Sequence, residues 1–285
     1  MQRDLGIFVQ AACAFDPADS LLPFMVEGVL VGWMKRSLAE RLREWPEVFS
    51  VRPRGVGMLG TFETAVHRSV AIAEVVESLA TETVINGWRD ERVTVAETFY
   101  SPPLFHIERA ATRHFGLTMH ASHLNGLTTR NGVPHMWIAQ RADSKFVDPA
   151  KLDNLAAGRI PRGLSPFDNM VKESFEEAGI PPEFGKTATS AGAVRCKREV
   201  DEGLHHEIIF VHDINLPENF VPQNQDGEVS GFQCVPIAQM MERLEKNPHE
   251  FTVDAVLVAL DCLIRHGHFK SDREDYLDII HAMRP

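Results

Sequence analysis

The stretch from Gly158 to Ile180 constrains this chain more than any other part of it. From Asp168 to Ala178 it reads as a helix, stopped by Gly179 and by Pro181-Pro182. On that helix Glu173, Glu176 and Glu177 stand at i, i+3 and i+4, so three carboxylates share one face. Like charges at that spacing repel, and the face needs water, basic partners or a cation. Carboxylate oxygens suit hard divalent ions such as Mg2+ or Mn2+. A solvated acidic helix face has the same spacing, and composition alone does not separate the two readings.

Composition narrows the partners. Of 285 residues, 29 are Lys or Arg and 40 are Asp or Glu, a formal net charge of −11. That balance argues against a nucleic-acid binder, which needs clustered basic side chains for phosphate contacts. It leaves room for a phosphorylated small molecule met through a divalent cation. Nowhere is there an uncharged apolar run long enough for a membrane span; the most apolar one, Phe251 to Ile264, carries Asp254 and Asp261. The start, Met-Gln-Arg-Asp-Leu, lacks the basic-then-apolar layout of a secretory signal. Cys13, Cys196, Cys234 and Cys262 lie far apart with no CxxC pair, a poor disulfide or zinc framework. A cytoplasmic location is the expectation.

Hydrophobic periodicity divides the chain at about residue 118. Before it, helices are expected near Asp4–Phe15, Ser37–Trp45, Thr64–Leu79 and Leu104–Phe115, with strands at Phe24–Trp33 and Val93–Thr98. After it, Met119–Thr128 and His135–Arg141 read as strands joined by a turn at Asn131-Gly132. A Gly- and Pro-rich loop, Asp148 to Pro166, leads to the acidic helix. Three further strands (near 193–199, 207–214 and 229–235) precede helices at Ile237–Leu244, Val253–His266 and Asp272–Met283. Strands alternating with single helices suggest a layered α/β fold.

The order of residues from Gly158 to Ile180 resembles the Nudix box, G-x5-E-x7-REUxEExGU with U aliphatic. Gly158, Glu173, Glu176, Glu177, Gly179 and Ile180 fall on the pattern, while Leu164, Lys172 and Ser174 depart from it. Asp168 follows the missing early glutamate by four residues, and its role is open. The resemblance implies an α/β fold, a Nudix α/β/α sandwich with a mixed sheet (119–285), preceded by a smaller α+β domain (1–118). It further implies metal-dependent hydrolysis, with Glu173, Glu176 and Glu177 holding Mg2+ or Mn2+. Five segments, Gly87–Glu91, Ile107–Ala111, His123–Gly126, Lys151–Asn154 and Asn224–Val229, resemble one Nudix branch. That branch is related to the Nudix half of eukaryotic thiamine pyrophosphokinase fusions, here without the kinase. What this implies is cleavage of thiamine diphosphate, or its oxidised or damaged analogues, to the monophosphate. A different diphosphate substrate and a degenerate diphosphate-binding module are the rival readings.

Roles follow from the chemistry. Lys172 is expected to orient Glu176 at i+4, with a surface ion pair as the rival account. Glu228, in Asp226-Gly227-Glu228, is the candidate later carboxylate, or else a turn residue at a strand edge. Arg89 and Arg109 are candidate diphosphate contacts, against ion pairs with Glu91 and Glu108. His123, Asn125 and Gly158 are candidate lining of the substrate cleft. The expected partner is a small-molecule diphosphate, with no nucleic acid, no membrane and a homodimer as the assembly.

Overall fold

The computed structural model describes residues 3–161 and 163–285; the Met1-Gln2 start read above for a secretory layout, and Arg162 of the glycine-rich loop, lie outside the described residues. The chain forms two compact units that do not divide at one point in the sequence. The larger contains 1–14, 120–196 and 207–285, and the smaller contains 15–119 and 197–206.

Helix α1 (Arg3–Cys13) opens the chain and belongs to the larger unit. In the smaller unit, β1 (Leu22–Val26) and β2 (Val29–Met34) form a hairpin where one strand was expected. Glu27 and Gly28 both have positive φ, 52° and 80°, the two-residue turn that suits the twist of paired strands. Helix α2 (Arg36–Arg41) follows, then β3 (Phe49–Arg52) and β4 (Gly55–Met58), which complete a sheet of order β2-β1-β4-β3. Helix α3 (Ala65–Thr81) is capped by Thr64, whose hydroxyl accepts the His67 N–H at 3.2 Å. Strands β5 (Arg92–Val95) and β6 (Phe105–Glu108) pair with each other. The helix expected from Leu104 is therefore a strand at its start. Phe105 and Ile107 alternate into the core, a period of two that the flanking Ala and Arg residues mask.

The larger unit is built on a seven-stranded sheet. Strands β7 (Thr118–Arg130) and β8 (Val133–Arg141) meet at Asn131-Gly132, both at positive φ. Two short strands, β9 (Leu152–Asp153) and β10 (Ala156–Arg159), lie in the stretch expected to be loop, and they pair with β8 and β7 respectively. Then come α4 (Pro166–Ala178), α5 (Pro182–Gly185), β11 (Thr189–Val200), β12 (Gly203–Asn215) and β13 (Val229–Pro236). The main path runs β11-β12-β7-β8-β13. Helices α6 (Ile237–Lys246), α7 (Val253–Arg265) and α8 (Tyr276–Met283) end the chain.

Two apolar cores follow from the two faces of this sheet. Met136 and Ile138 of β8 share one core with Val256, Leu260 and Leu263 of α7 and with Leu5 and Val9 of α1. The intervening Trp137 joins Leu124, Leu155, Met170 and Ile180 in the other, beneath α4. Alternation along one strand thus separates α4 from α7 by the thickness of the sheet, giving an α/β/α sandwich. Among the described residues no helix is long and apolar enough to cross a membrane.

Candidate metal and diphosphate site

Local signals at both ends fix the position of α4. Ser165 caps the N-terminus, its hydroxyl accepting the Asp168 N–H at 3.0 Å and donating to the Asp168 carboxylate at 2.6 Å. Asp168 is thus engaged at the cap. At the other end Gly179 takes a left-handed conformation, φ 67°, and its N–H donates to Phe175 O at 2.9 Å. The buried Ser174, where an aliphatic residue was expected, donates its hydroxyl to Val171 O at 2.8 Å, so its polar atom is satisfied.

The C-terminal turn of α4 also holds the segment that leads to Glu228. Gln223 N–H donates to Ala178 O at 3.0 Å and Gln225 N–H to Glu176 O at 2.8 Å. These bonds use carbonyls that a helix end leaves without intrahelical partners. Asp226 then accepts the Glu228 N–H at 2.8 Å, and Glu228 O accepts from Ala142 N–H at 2.9 Å.

The three glutamates differ in setting. Glu177 is buried, 6% exposed, and accepts the Ala157 N–H of β10 at 2.8 Å. Burial raises its pKa well above the usual carboxylate value; the Ala157 bond opposes this, and Asp153 and Glu173 add to it. Glu173 is shifted up as well, first by burial, against the pull of Lys172 and with Glu176 and Glu228 adding. Glu176 is more open and takes an ion pair from Lys172 at 2.5 Å, while Lys172 also reaches Glu173 at 3.3 Å. Gly158 explains the packing of Glu173: a Cβ on this β10 residue would overlap the Glu173 carboxyl group. Asn169 donates to Gly158 O at 3.1 Å and ties the strand to the helix.

A hard divalent cation fits this donor set. Three carboxylates share one face of the helix, Glu173 and Glu176 share the Lys172 ammonium, and burial, with like charges adding, raises the pKa of Glu173 and Glu177. Glu228 belongs electrostatically to the same group through its effect on Glu173.

The other residues singled out from the sequence have partners of their own. His123 and Asn125 are buried, at 6% and 1% exposure, inside a hydrogen-bonded chain. His123 Nδ1 lies 2.8 Å from Asn154 Oδ1, Asn154 donates to Asn125 Oδ1 at 3.3 Å, and Asn125 donates to Asp213 at 3.0 Å. Those contacts consume polar atoms that a cleft lining would offer to substrate. Arg89 and Arg109 belong to the smaller unit. Arg109 pairs with Glu91 at 2.6 Å, and the buried Glu108 accepts the backbone N–H groups of Arg89 and Glu91 at 2.9 and 3.1 Å. Sequence reasoning missed Lys145, which ion-pairs with Glu228, and Asp153, which bonds Arg141 at 2.9 Å. Asp153 stood within a segment already noted; Lys145 carries no local signal.

Comparison with known proteins matches residues 6–119 to a domain of unknown function (DUF4743) and residues 124–255 to the NUDIX domain. Two curated relatives, Nudix hydrolase 20, chloroplastic, and Nudix hydrolase 24, chloroplastic, both of Arabidopsis thaliana, are 35% identical over 272 and 265 residues. Each alignment covers 92% of this chain and 72% of the relative. Among solved structures, the NUDIX domain of Shewanella oneidensis NrtR complexed with ADP ribose covers 53% of this chain and 90% of its own length. Its TM-score is 0.42 at 14% identity.

Proposed function

The chain belongs to the Nudix hydrolases, and from that premise we propose that it cleaves the diphosphate linkage of a small molecule at the carboxylate face of α4. Glu173, Glu176 and Glu177 are the residues that would hold Mg2+ or Mn2+. What supports this reading is the placement of Glu173, Glu176 and Glu177 on one face of α4, with Glu177 seated on the Ala157 N–H and Glu173 packed against Gly158. A divalent ion bound there supplies neutralisation of the non-bridging phosphoryl oxygens and a more acidic bound water.

The chain's own residues do the rest. Ala157 N–H and the absent side chain of Gly158 set where Glu177 and Glu173 lie. Lys172 restrains Glu176, which limits rotamer freedom on the exposed side of the face. Glu228 is assigned to receive a proton from the attacking water, as a carboxylate held close to the face by the backbone of 223–228. Positioning and electrostatics of this kind account for most of the acceleration in phosphoryl transfer.

For substrate, the reading is thiamine diphosphate or its oxidised analogues, cleaved to the monophosphate. Its support is the resemblance of Gly87–Glu91, Lys151–Asn154 and Asn224–Val229 to that branch. The free cysteines, three of them buried, suit a reducing compartment, and the cytoplasm is part of the reading.

A substrate panel tests the whole. Purified protein with Mg2+ is offered thiamine diphosphate, its oxidised analogues, ADP-ribose and nucleoside triphosphates, and monophosphate and phosphate release are followed. Preferred turnover of a thiamine compound is expected; preference for ADP-ribose redirects the substrate, and tight binding without turnover favours a binding module. Glu176→Gln with Glu177→Gln should lower turnover by at least about a hundredfold. Unchanged turnover in that folded variant removes α4 as the metal site.

A further inference from the structure

Besides Lys172, the carboxylate group holds a second cation, Lys145. Lys145 lies in the segment between β8 and β9 and its ammonium pairs with Glu228, while it also lowers the proton affinity of the buried Glu177. It is drawn from outside α4 and is only 23% exposed, unlike Lys172, which is 45% exposed on the helix surface.

Its position is built by the backbone. Arg141, the last residue of β8, donates to Asp148 O at 3.1 Å, to Val147 O at 2.9 Å and to Asp153 at 2.9 Å. One guanidinium thereby folds residues 142–148 back against β9. Ala142 N–H donates to Glu228 O at 2.9 Å, and Val229 pairs with Arg141 in the sheet, so the segments bearing Lys145 and Glu228 are registered to each other. Asp148 and Ala150 sit at positive φ, 49° and 60°, a conformation non-glycine residues adopt at some cost and only where surrounding bonds hold them.

We propose that Lys145 is a resident counter-cation of the Glu228 carboxylate, that its charge opposes a divalent ion on the neighbouring α4 glutamates, and that loading the ion releases its ammonium toward the diphosphate. Lys145 is thus a positioning residue for Glu228 in the metal-free protein and an anion contact in the loaded one. The proposal rests on the reading of α4 as the metal site. Its physics is competition: a monovalent cation already beside the carboxylates must be displaced or repelled when a divalent one arrives, and that repulsion lowers metal affinity.

Two measurements test it. The first is Mn2+ binding by titration calorimetry in the full chain, without substrate. Lys145→Met keeps the apolar stem and removes the charge, and should tighten Mn2+ binding about tenfold, the scale of one screened unit charge at short range. Lys145→Arg keeps the charge and should hold the affinity of the unaltered protein. Unchanged or weaker binding in Lys145→Met, beside normal Mn2+ binding in the unaltered protein, overturns the role of Lys145 and leaves the metal site standing. Absence of Mn2+ binding in every form overturns both.

The second measurement needs no variant. Amine-selective labelling of the unaltered protein, read by mass spectrometry at Lys145 against Lys186, should rise several-fold at Lys145 when Mn2+ is added. Lys186 pairs with Glu183, outside the carboxylate group, and serves as the internal reference. Equal Lys145 labelling with and without saturating Mn2+ overturns the release step.

Discussion

Two groups of carboxylates lie in the larger unit, one on each side of its sheet, and Asp213 of one is shifted opposite to Glu173 and Glu177 of the other. On the α7 side, Asp213 accepts from Arg265, Asn125 and His266, and Asp261 pairs with Arg265 and Arg284 at 2.7 Å each. Burial alone would raise the Asp213 pKa, but Arg265, Asn125 and His266 hold it below the usual carboxylate value. On the α4 side, Glu173 and Glu177 are shifted up. Asp213 has its cation built in; the glutamates have two lysines serving a larger group of acids. Charge matched inside the fold belongs to stability, and charge left over belongs to a ligand. The same logic demotes Asp213, Cys262 and His266 as a metal group despite their close ligand atoms. Arg265 already neutralises Asp213, and burial holds the Cys262 thiol protonated.

Substitutions can break this comparison from either side. The largest stability effect is expected from Arg265→Met, which takes the main cation from Asp213 and leaves the fully buried Asp261 with Arg284 alone. It should cost about 3 kcal/mol in urea unfolding, since an uncompensated buried charge is the dominant penalty. A loss near zero would make the α7 group as unmatched as the α4 group and erase the contrast. Gly158→Ala comes next. Its methyl overlaps the Glu173 carboxyl, so about 1–3 kcal/mol of overpacking cost is expected. Weakened Mn2+ binding in calorimetry should accompany it; a variant with full stability and full affinity would show that Glu173 is not seated against β10.

Smaller effects sharpen the contrast. Glu177→Gln removes a buried charge while the amide oxygen can still accept from Ala157 N–H. The metal-free variant should therefore melt no lower than the unaltered protein, and about 2 °C higher for each kcal/mol gained. A pH series separates the two groups further. Glu173 and Glu177 have raised folded pKa values, so their protonated forms favour folding below the ordinary carboxylate range. That contribution is lost as pH rises through the raised values. Asp213 has a lowered one, so its contribution is present above its ordinary value and is lost as pH falls through the folded value. In EDTA, the melting advantage of Glu177→Gln should widen with rising pH, and Mn2+ should close it. A gap that stays constant across the series would remove the titration of Glu177 from the account.

Much of the α4 side was legible because its signals are local. Gly179 and the proline pair end the helix, the glutamate spacing sets the face, and Asn131-Gly132 makes the β7–β8 turn. What escaped depends on partners distant in sequence. Strand β10 exists because Ala156 to Arg159 pair with Leu124 to Ala121, and nothing in a Gly-rich tetrapeptide announces that. His123 and Asn125 share a strand with the site but spend their polar atoms on Asn154 and Asp213, 31 and 88 residues away. Lys145 became visible only when the sheet registered β8 against β13. A charge's role depends on what balances it, and the balance is struck across the fold.

The bonds from Gln223 and Gln225 to the last turn of α4 have one more consequence. They make the helix and the Glu228 segment a single mechanical part, like a caliper whose jaws are locked at one opening. Thermal sway of α4 carries Glu228 along with it. The spacing of helix and loop is therefore a property of a few main-chain hydrogen bonds, and side-chain changes elsewhere in the unit can soften the surroundings without changing that gap.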